Sequence, residues 1–244
     1  MQKVLDDSDW SAKAWMSKPD ANLFDALVHI KSAQTEGRLD VLEWGAGRST
    51  SYFTRALHAL RGDNFCWHAI EYDRGYFEGE IRSSLDALPT STVGLIEPGA
   101  DLQAMFPRTT PVEFAVYDHG TLKPMLDEGV EDRKVDMDAY VAHPSQLGRT
   151  FDIILVDGRK RRRCLLEAAS LLKEGGVAVL HDAQRTYYHC AFDHYRASSL
   201  LGEILWFGTQ MDDSLFRDLR QDAETVARTI GLGIPLSPAV ALPQ

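Results

Sequence analysis

Five short apolar runs in this 244-residue chain each end in polar residues of the kinds that hold ligands or move protons. The first run ends in Glu43-Trp44-Gly45-Ala46-Gly47-Arg48-Ser49-Thr50, and the second in Glu71 to Asp73. The third ends in Glu97 to Gly99 with Asp101 just after it, the fourth in Asp157 to Arg159, and the fifth in His181-Asp182. Gly45 and Gly47 let backbone approach a ligand where a Cβ would intrude. The loop is not a dinucleotide fingerprint, because Thr50 stands at the third glycine position, and it has no phosphate-binding Lys. Asp157, His181 and Asp182 are the candidate bases. The ordinary pKa of His181 lies closest to neutrality, and a neighbouring carboxylate could orient its ring.

Arg159, Lys160, Arg161, Arg162 and Arg163 crowd the start of an expected helix, where the macrodipole and free N–H groups disfavour cations. Arg159 and Arg163, with Arg185 beyond the fifth run, are therefore candidates to hold an anionic acceptor such as a uronate or phosphate, since guanidinium forks suit such groups. The alternative is a solvated charged turn with Arg163 paired to Glu167 at i, i+4. Tyr188 and its neighbour Tyr187 suit an acceptor pocket or, equally, a core. His189 and His194 read as packing or surface residues.

The elements that must position these residues alternate. Residues 20–37 carry helical periodicity, DVLEWGAG is a strand entering a glycine turn, and STSYFTRALHALRG is a helix closed by glycine. FCWHAIEYD and STVGLIEPG read as the second and third strands. FDIILVDG, CLLEAASLLKEGG and VAVLHDA read as strand, helix and strand, followed by a helix in QRTYYHCAFDHY and a strand in GEILWFG. The pattern predicts an α/β fold with a Rossmann-like, doubly wound, mostly parallel sheet. The expected organisation is a single domain over 1–244. It has an N-terminal helical segment (1–38), a core (39–210) with an insertion at about 100–150, and an extended tail (230–244).

Composition narrows the function classes. With 26 Lys and Arg against 36 Asp and Glu, the net charge of −10 argues against nonspecific binding to nucleic acid or anionic membrane. No apolar run is long enough to span a membrane, and the acidic N-terminus is unlike a signal peptide, so the expected location is cytoplasmic. Cys66, Cys164 and Cys190 are too widely spaced for a CxxC site and are expected to be reduced and mostly buried.

The Glu43-x-Gly45-x-Gly47 loop at a strand end resembles motif I of the class I S-adenosylmethionine-dependent methyltransferases. Within that family, EWGAGRST resembles the loop of the glucuronoxylan O-methyltransferases and bacterial relatives, with Arg48 where the plant enzymes carry glycine. The resemblance spans roughly residues 20–210. It implies a class I methyltransferase fold, S-adenosyl-L-methionine as cofactor, and O-methylation of a small-molecule or saccharide hydroxyl. It also implies a cofactor site at Glu43, Gly45, Ala46, Gly47, Ser49, Thr50, Glu71, Asp101 and Asp157. In that site Glu43 suits the cationic amino acid and Glu71 the ribose hydroxyls. A divalent cation (Mg or Mn) on Asp157 and Asp182, as in the catechol-type O-methyltransferases this region is similar to, is an alternative means of acidifying the acceptor. Ala183 stands where that group has Asn. A non-catalytic protein that binds S-adenosylmethionine with the same fold is the second reading, and an NAD-dependent oxidoreductase is disfavoured by the missing third glycine.

Overall fold

The computed structural model describes residues 16–87, 90–120 and 134–232. Ser17, in extended conformation, caps helix α1 (Lys18–Gln34) by accepting from the Asp20 amide, and Pro19 occupies the first turn, where a missing N–H is harmless. Strands β1 (Leu39–Trp44) and β2 (Phe65–Glu71) flank helix α2 (Arg48–Arg61). Beyond β2 a helical run changes pitch, α-helical at Arg74–Tyr76, π at Phe77–Ile81 and 3-10 at Arg82–Ala87. Next come β3 (Ser91–Leu95), the short α3 (Leu102–Met105), β4 (Val112–Val116), α4 (Asp138–Leu147) and β5 (Phe151–Val156). Helix α5 (Arg161–Leu171), β6 (Leu172–Leu180), a 3-10 segment (Thr186–His194), β7 (Ala197–Leu201), β8 (Leu205–Thr209) and α6 (Asp213–Gly231) complete the chain.

The strands form one sheet in the order β3-β4-β2-β1-β5-β6-β8-β7. All pairings are parallel except those that β8 makes with β6 and β7. This is the expected Rossmann-like, mostly parallel sheet, and the winding reverses between β1 and β5. In such sheets ligands sit beyond the strand ends at the reversal. Every residue of β1, β2, β4 and β5 is buried, so these strands show the continuous burial of a sheet covered on both faces rather than alternation. One face buries Phe24, Phe53, Trp67 and Phe207 beneath α1, α2 and α6, and the other buries Trp44, Tyr140, Leu165 and Trp206 beneath α4, α5 and the 3-10 segment.

Three expectations change. The strand read as third, β3, lies at the sheet edge, and β4 takes the place beside β2. Within the stretch at 100–150, expected to be an insertion, the alternating VEFAVYD forms β4 and the weakly periodic VDMDAYVAHPSQL forms α4, as those patterns suggest, but both belong to the sheet and its cover. Helix α6, amphipathic and packed on α1, reaches Gly231, so residues 230 and 231 of the expected tail are helical. Residues 233–244 of that tail, and residues 1–15 of the N-terminal segment, lie outside the described residues. Cys66 and Cys164 are buried and Cys190 is exposed, all as free thiols. Among the described residues no helix is long and apolar enough to cross a membrane.

Burial of Glu113 in the middle of β4 requires partners, and it has them. Its carboxylate accepts from Arg149 at 2.7 Å and the Arg108 amide at 2.9 Å, and pairs with His68 at 3.0 Å. Burial opposes its ionisation, yet His68 and Arg149 outweigh that and hold its pKa down to about 2. His68 Nε2 meets His143 Nε2 at 2.8 Å, and His143 Nδ1 meets Tyr117 Oη at 2.9 Å, so the chain of contacts links β2, β4 and α4.

Candidate functional site

The glycine loop is held from below. The Gly47 amide donates to Thr50 Oγ1 at 2.8 Å, and that hydroxyl donates to Glu43 Oε2 at 2.8 Å. Trp67 Nε1 donates to the same carboxylate oxygen at 2.7 Å, while Glu43 Oε1 is buried without a hydrogen-bond partner. Thr50, the residue that breaks the dinucleotide pattern, thus fixes both the loop and the acid. Burial pushes Glu43 up to about 8 against the Thr50 and Trp67 hydrogen bonds, and the charges of Asp157 and Glu71 push the same way. Glu71, ending β2, accepts from the Asp73 amide at 2.9 Å and is likewise raised by burial to about 8.

The two glycines of the motif have different jobs. Gly45 has φ +94°, and a Cβ there would lie 2.4 Å from Gly158 Cα. Its bare backbone is used by the turn after β5. Around Gly47 a Cβ would meet nothing closer than 3.7 Å, so this glycine alone leaves the loop open. Ala46 and Ser49 are buried beside it.

At the ends of β5 and β6 the candidate bases converge. His181 Nδ1 lies 2.8 Å from Asp157 Oδ1, and His181 Nε2 is buried with no partner. Burial lowers the His181 pKa, but the hydrogen bond and charge of Asp157 more than offset it, leaving a raised value. Asp182 adopts a left-handed backbone (φ +60°), as does Lys160 after β5 (φ +54°), so two of the three non-glycine left-handed residues among those described flank this site. Such strain persists only where the surroundings over-determine it. The over-determining group is Arg161. Its guanidinium donates to the carbonyls of Asp157, Gly158 and His181 at 2.7–3.0 Å and to Asp182 Oδ2 at 2.8 Å, with Asp157 Oδ1 at 3.1 Å.

This arrangement does not fit a divalent cation on Asp157 and Asp182. The Arg161 guanidinium already lies between the two carboxylates, and His181 takes the Asp157 oxygen. Among the described residues no group of three or more His, Cys, Asp and Glu side chains could hold a metal ion.

The basic run divides by function. Arg161 faces inward as described. Arg163 pairs with Asp138 at 2.6 Å rather than with Glu167, Arg162 lies over the Tyr187 ring, and Arg159 Nε donates to Tyr72 Oη at 3.3 Å. Arg185 bonds Asp182 at 2.9 Å and is about half exposed. Tyr188 is buried in the second core, and His189 stacks on Phe192. Asp101 caps α3 after the edge strand, separated from the β2 end by β4, whose own end carries Tyr117, Asp118 and His119. Sequence reasoning missed the inward role of Arg161. It also missed Tyr140 on α4, whose carbonyl accepts from Trp44 Nε1 at 3.1 Å and whose hydroxyl reaches Gly158. The Trp inside the EWGAG motif was the available signal.

No protein-family model and no curated protein matches the chain. Among solved structures, a methyltransferase-like protein from Silicibacter pomeroyi is 20% identical over 87% of this chain and 97% of its own, with a TM-score of 0.47. CalS11, a TDP-rhamnose 3'-O-methyltransferase of calicheamicin biosynthesis, is 13% identical over 78% of this chain and 79% of its own, with a TM-score of 0.48. A precorrin-6y C5,15-methyltransferase from Geobacter metallireducens is 14% identical over 82% and 93%, with a TM-score of 0.43. These likenesses are weak, and the architecture rests on the strand order itself. That order, parallel about a reversal between β1 and β5 and closed by an antiparallel pair, is a Rossmann-like, doubly wound fold.

Proposed function

We propose that this chain is an S-adenosylmethionine-dependent methyltransferase that methylates a hydroxyl of a small-molecule or saccharide acceptor. One observation carries the reading. Two buried polar atoms without partners, Glu43 Oε1 near the end of β1 and His181 Nε2 just past β6, lie at the carboxyl edge of the sheet on either side of β5, with the buried Glu71 ending β2. Buried polar groups in folded proteins are nearly always paired, and at this edge of a doubly wound sheet a bound ligand is the partner that fits.

The residues fit the cofactor. Glu43 is a buried carboxyl with one oxygen uncommitted, suited to an ammonium or sulfonium ligand. Glu71 sits where a carboxylate can take ribose hydroxyls, and Gly47 has room above it. Ala46, Ser49, Thr50, Asp101 and Asp157 complete the assigned cofactor set. When bound, S-adenosylmethionine would supply a methyl group activated for in-line displacement by an acceptor hydroxyl. His181 Nε2 receives the hydroxyl proton. Asp157 fixes the ring through Nδ1–H and stabilises the imidazolium that forms, while Asp182 holds Arg161 and Arg185 in place. Arg159 and Arg185 at the rim, with Arg163 and Tyr188 behind them, are assigned to an anionic acceptor such as a uronate or phosphate.

Calorimetric titration with S-adenosylmethionine and S-adenosylhomocysteine tests the proposal, alongside Glu43→Ala and Glu71→Ala. Micromolar binding lost in both variants supports it. Binding without methyl transfer to any hydroxyl acceptor would favour the non-catalytic reading, and absence of binding would reject both.

A further inference from the structure

Tyr140 is fully buried, yet its hydroxyl proton has no acceptor. The side chain is not loosely placed. Trp44 Nε1 holds its carbonyl at 3.1 Å, and its ring meets Tyr72 and Tyr117 edge to face at 6.3 and 6.0 Å. The hydroxyl lies at the contact between the β1 and β5 turns, for a Cβ on Gly158 would meet Tyr140 Oη at 2.2 Å and the Gly45 amide nitrogen at 2.8 Å. Burial drives its pKa well above the ordinary value, with Cys164 and Glu71 pushing the same way, while a hydrogen bond from the Arg159 amide opposes them. The hydroxyl therefore keeps its proton and has no acceptor for it.

A phenylalanine would fill this space equally well, and an unsatisfied buried donor costs stability. Its position is the winding reversal, in Coulombic reach of Glu71. We propose that Tyr140 is a further ligand-contacting residue, its hydroxyl donating to an oxygen or nitrogen acceptor of a nucleoside-bearing ligand bound at the winding reversal. This rests on the cofactor reading above, with the S-adenosyl group as that ligand. The Gly158 turn covers the hydroxyl, so contact requires this turn to shift as the ligand enters.

The test is Tyr140→Phe, measured by calorimetric titration with S-adenosylhomocysteine and, separately, by thermal unfolding of the protein without ligand. The expected result is an affinity about fivefold weaker than wild type, the worth of one hydrogen bond, with a melting temperature equal to or above that of wild type. A purely structural hydroxyl gives the reverse pattern. Equal affinities, or a lowered melting temperature of the free variant, overturn the proposal. Failure of the wild-type protein to bind either S-adenosylhomocysteine or S-adenosylmethionine overturns the cofactor reading as well, so the two failures are told apart by the wild-type titration alone.

Discussion

His181 and Asp157 meet at 2.8 Å through Nδ1 and Oδ1, from the ends of adjacent parallel strands, and the second ring nitrogen is left without a partner. Because Asp157 raises the His181 pKa against the effect of burial, the ring is protonated to a higher pH than a free histidine, and only its neutral form accepts a proton. Methyl transfer is expected to rise with pH through this raised value. His181→Gln should lower kcat by about 10²–10⁴-fold. Asp157→Asn removes the raising influence, so its residual activity should persist to lower pH than that of wild type. A pH–rate profile with an unmoved acidic limb in Asp157→Asn would remove His181 from the base role.

Glu43 and Glu71, both pushed up to about 8, are largely protonated in the free protein near neutrality. A cationic ligand favours their ionised forms, so binding should release protons. The enthalpy of S-adenosylmethionine binding at neutral pH should then depend on the ionisation heat of the buffer. The same shifts govern stability. A folded-state pKa raised above the unfolded value gives stability that is present at low pH and is lost as pH rises towards about 8. The ligand-free protein should melt at a higher temperature near about pH 6 than near about pH 9, and Glu43→Gln should flatten that slope. A melting temperature that falls on acidification through this range would count against the raised values.

Gly45 and Gly47 should separate in mutagenesis. At Gly45 a side chain meets Gly158 backbone at 2.4 Å on a φ of +94°, so Gly45→Ala is expected to cost several kcal/mol, about 3. Gly47 caps α2 in an extended conformation with open space around it, so Gly47→Ala should cost less than about 1 kcal/mol. If the ligand lies over this glycine, the second variant loses affinity while keeping its fold. Denaturant titration paired with ligand titration separates the two effects.

The arginines of the basic run should differ as sharply. Arg161 is largely buried between Asp157 and Asp182, and Arg161→Ala removes the partner they share together with its bonds to three backbone carbonyls, at a cost of about 3 kcal/mol in chemical denaturation. Arg163 pairs with the exposed Asp138, and Arg163→Ala should cost below about 1 kcal/mol. If Arg185 and Arg159 bind an anionic acceptor, neutralising either raises the acceptor KM while leaving cofactor affinity intact.

The sequence made β1, β2, β5 and the second half of β6 legible because each is a largely apolar run with a polar end, whereas the LKEGG start of β6 reads as the end of the preceding helix. Motif residues Glu43, Glu71, Asp157 and His181 could be placed at one edge of the sheet for that reason. Lateral order was hidden. Val112–Val116 carries Glu113 in its middle and reads as half-exposed, because the charges that permit its burial, His68 and Arg149, come from distant parts of the chain. Arg161 reads as one cation among five, and only the meeting of two strand ends turns it inward. Tyr140 lies in a stretch of weak periodicity interrupted by Pro144, and its importance depends on a contact with Trp44 almost a hundred residues away.

Arg161 also determines how this edge of the molecule can move. One guanidinium binds the carbonyls of Asp157, Gly158 and His181 together with the Asp182 side chain, so neither the β5 turn nor the β6 turn can separate from it without exposing buried hydrogen bonds of the other. The two turns therefore form a single cooperative unit, with the left-handed residues Lys160 and Asp182 at its margins. Displacing Gly158 from Gly45 draws on the same guanidinium that holds the His181 carbonyl, so the shape of the glycine loop and the placement of His181 are coupled.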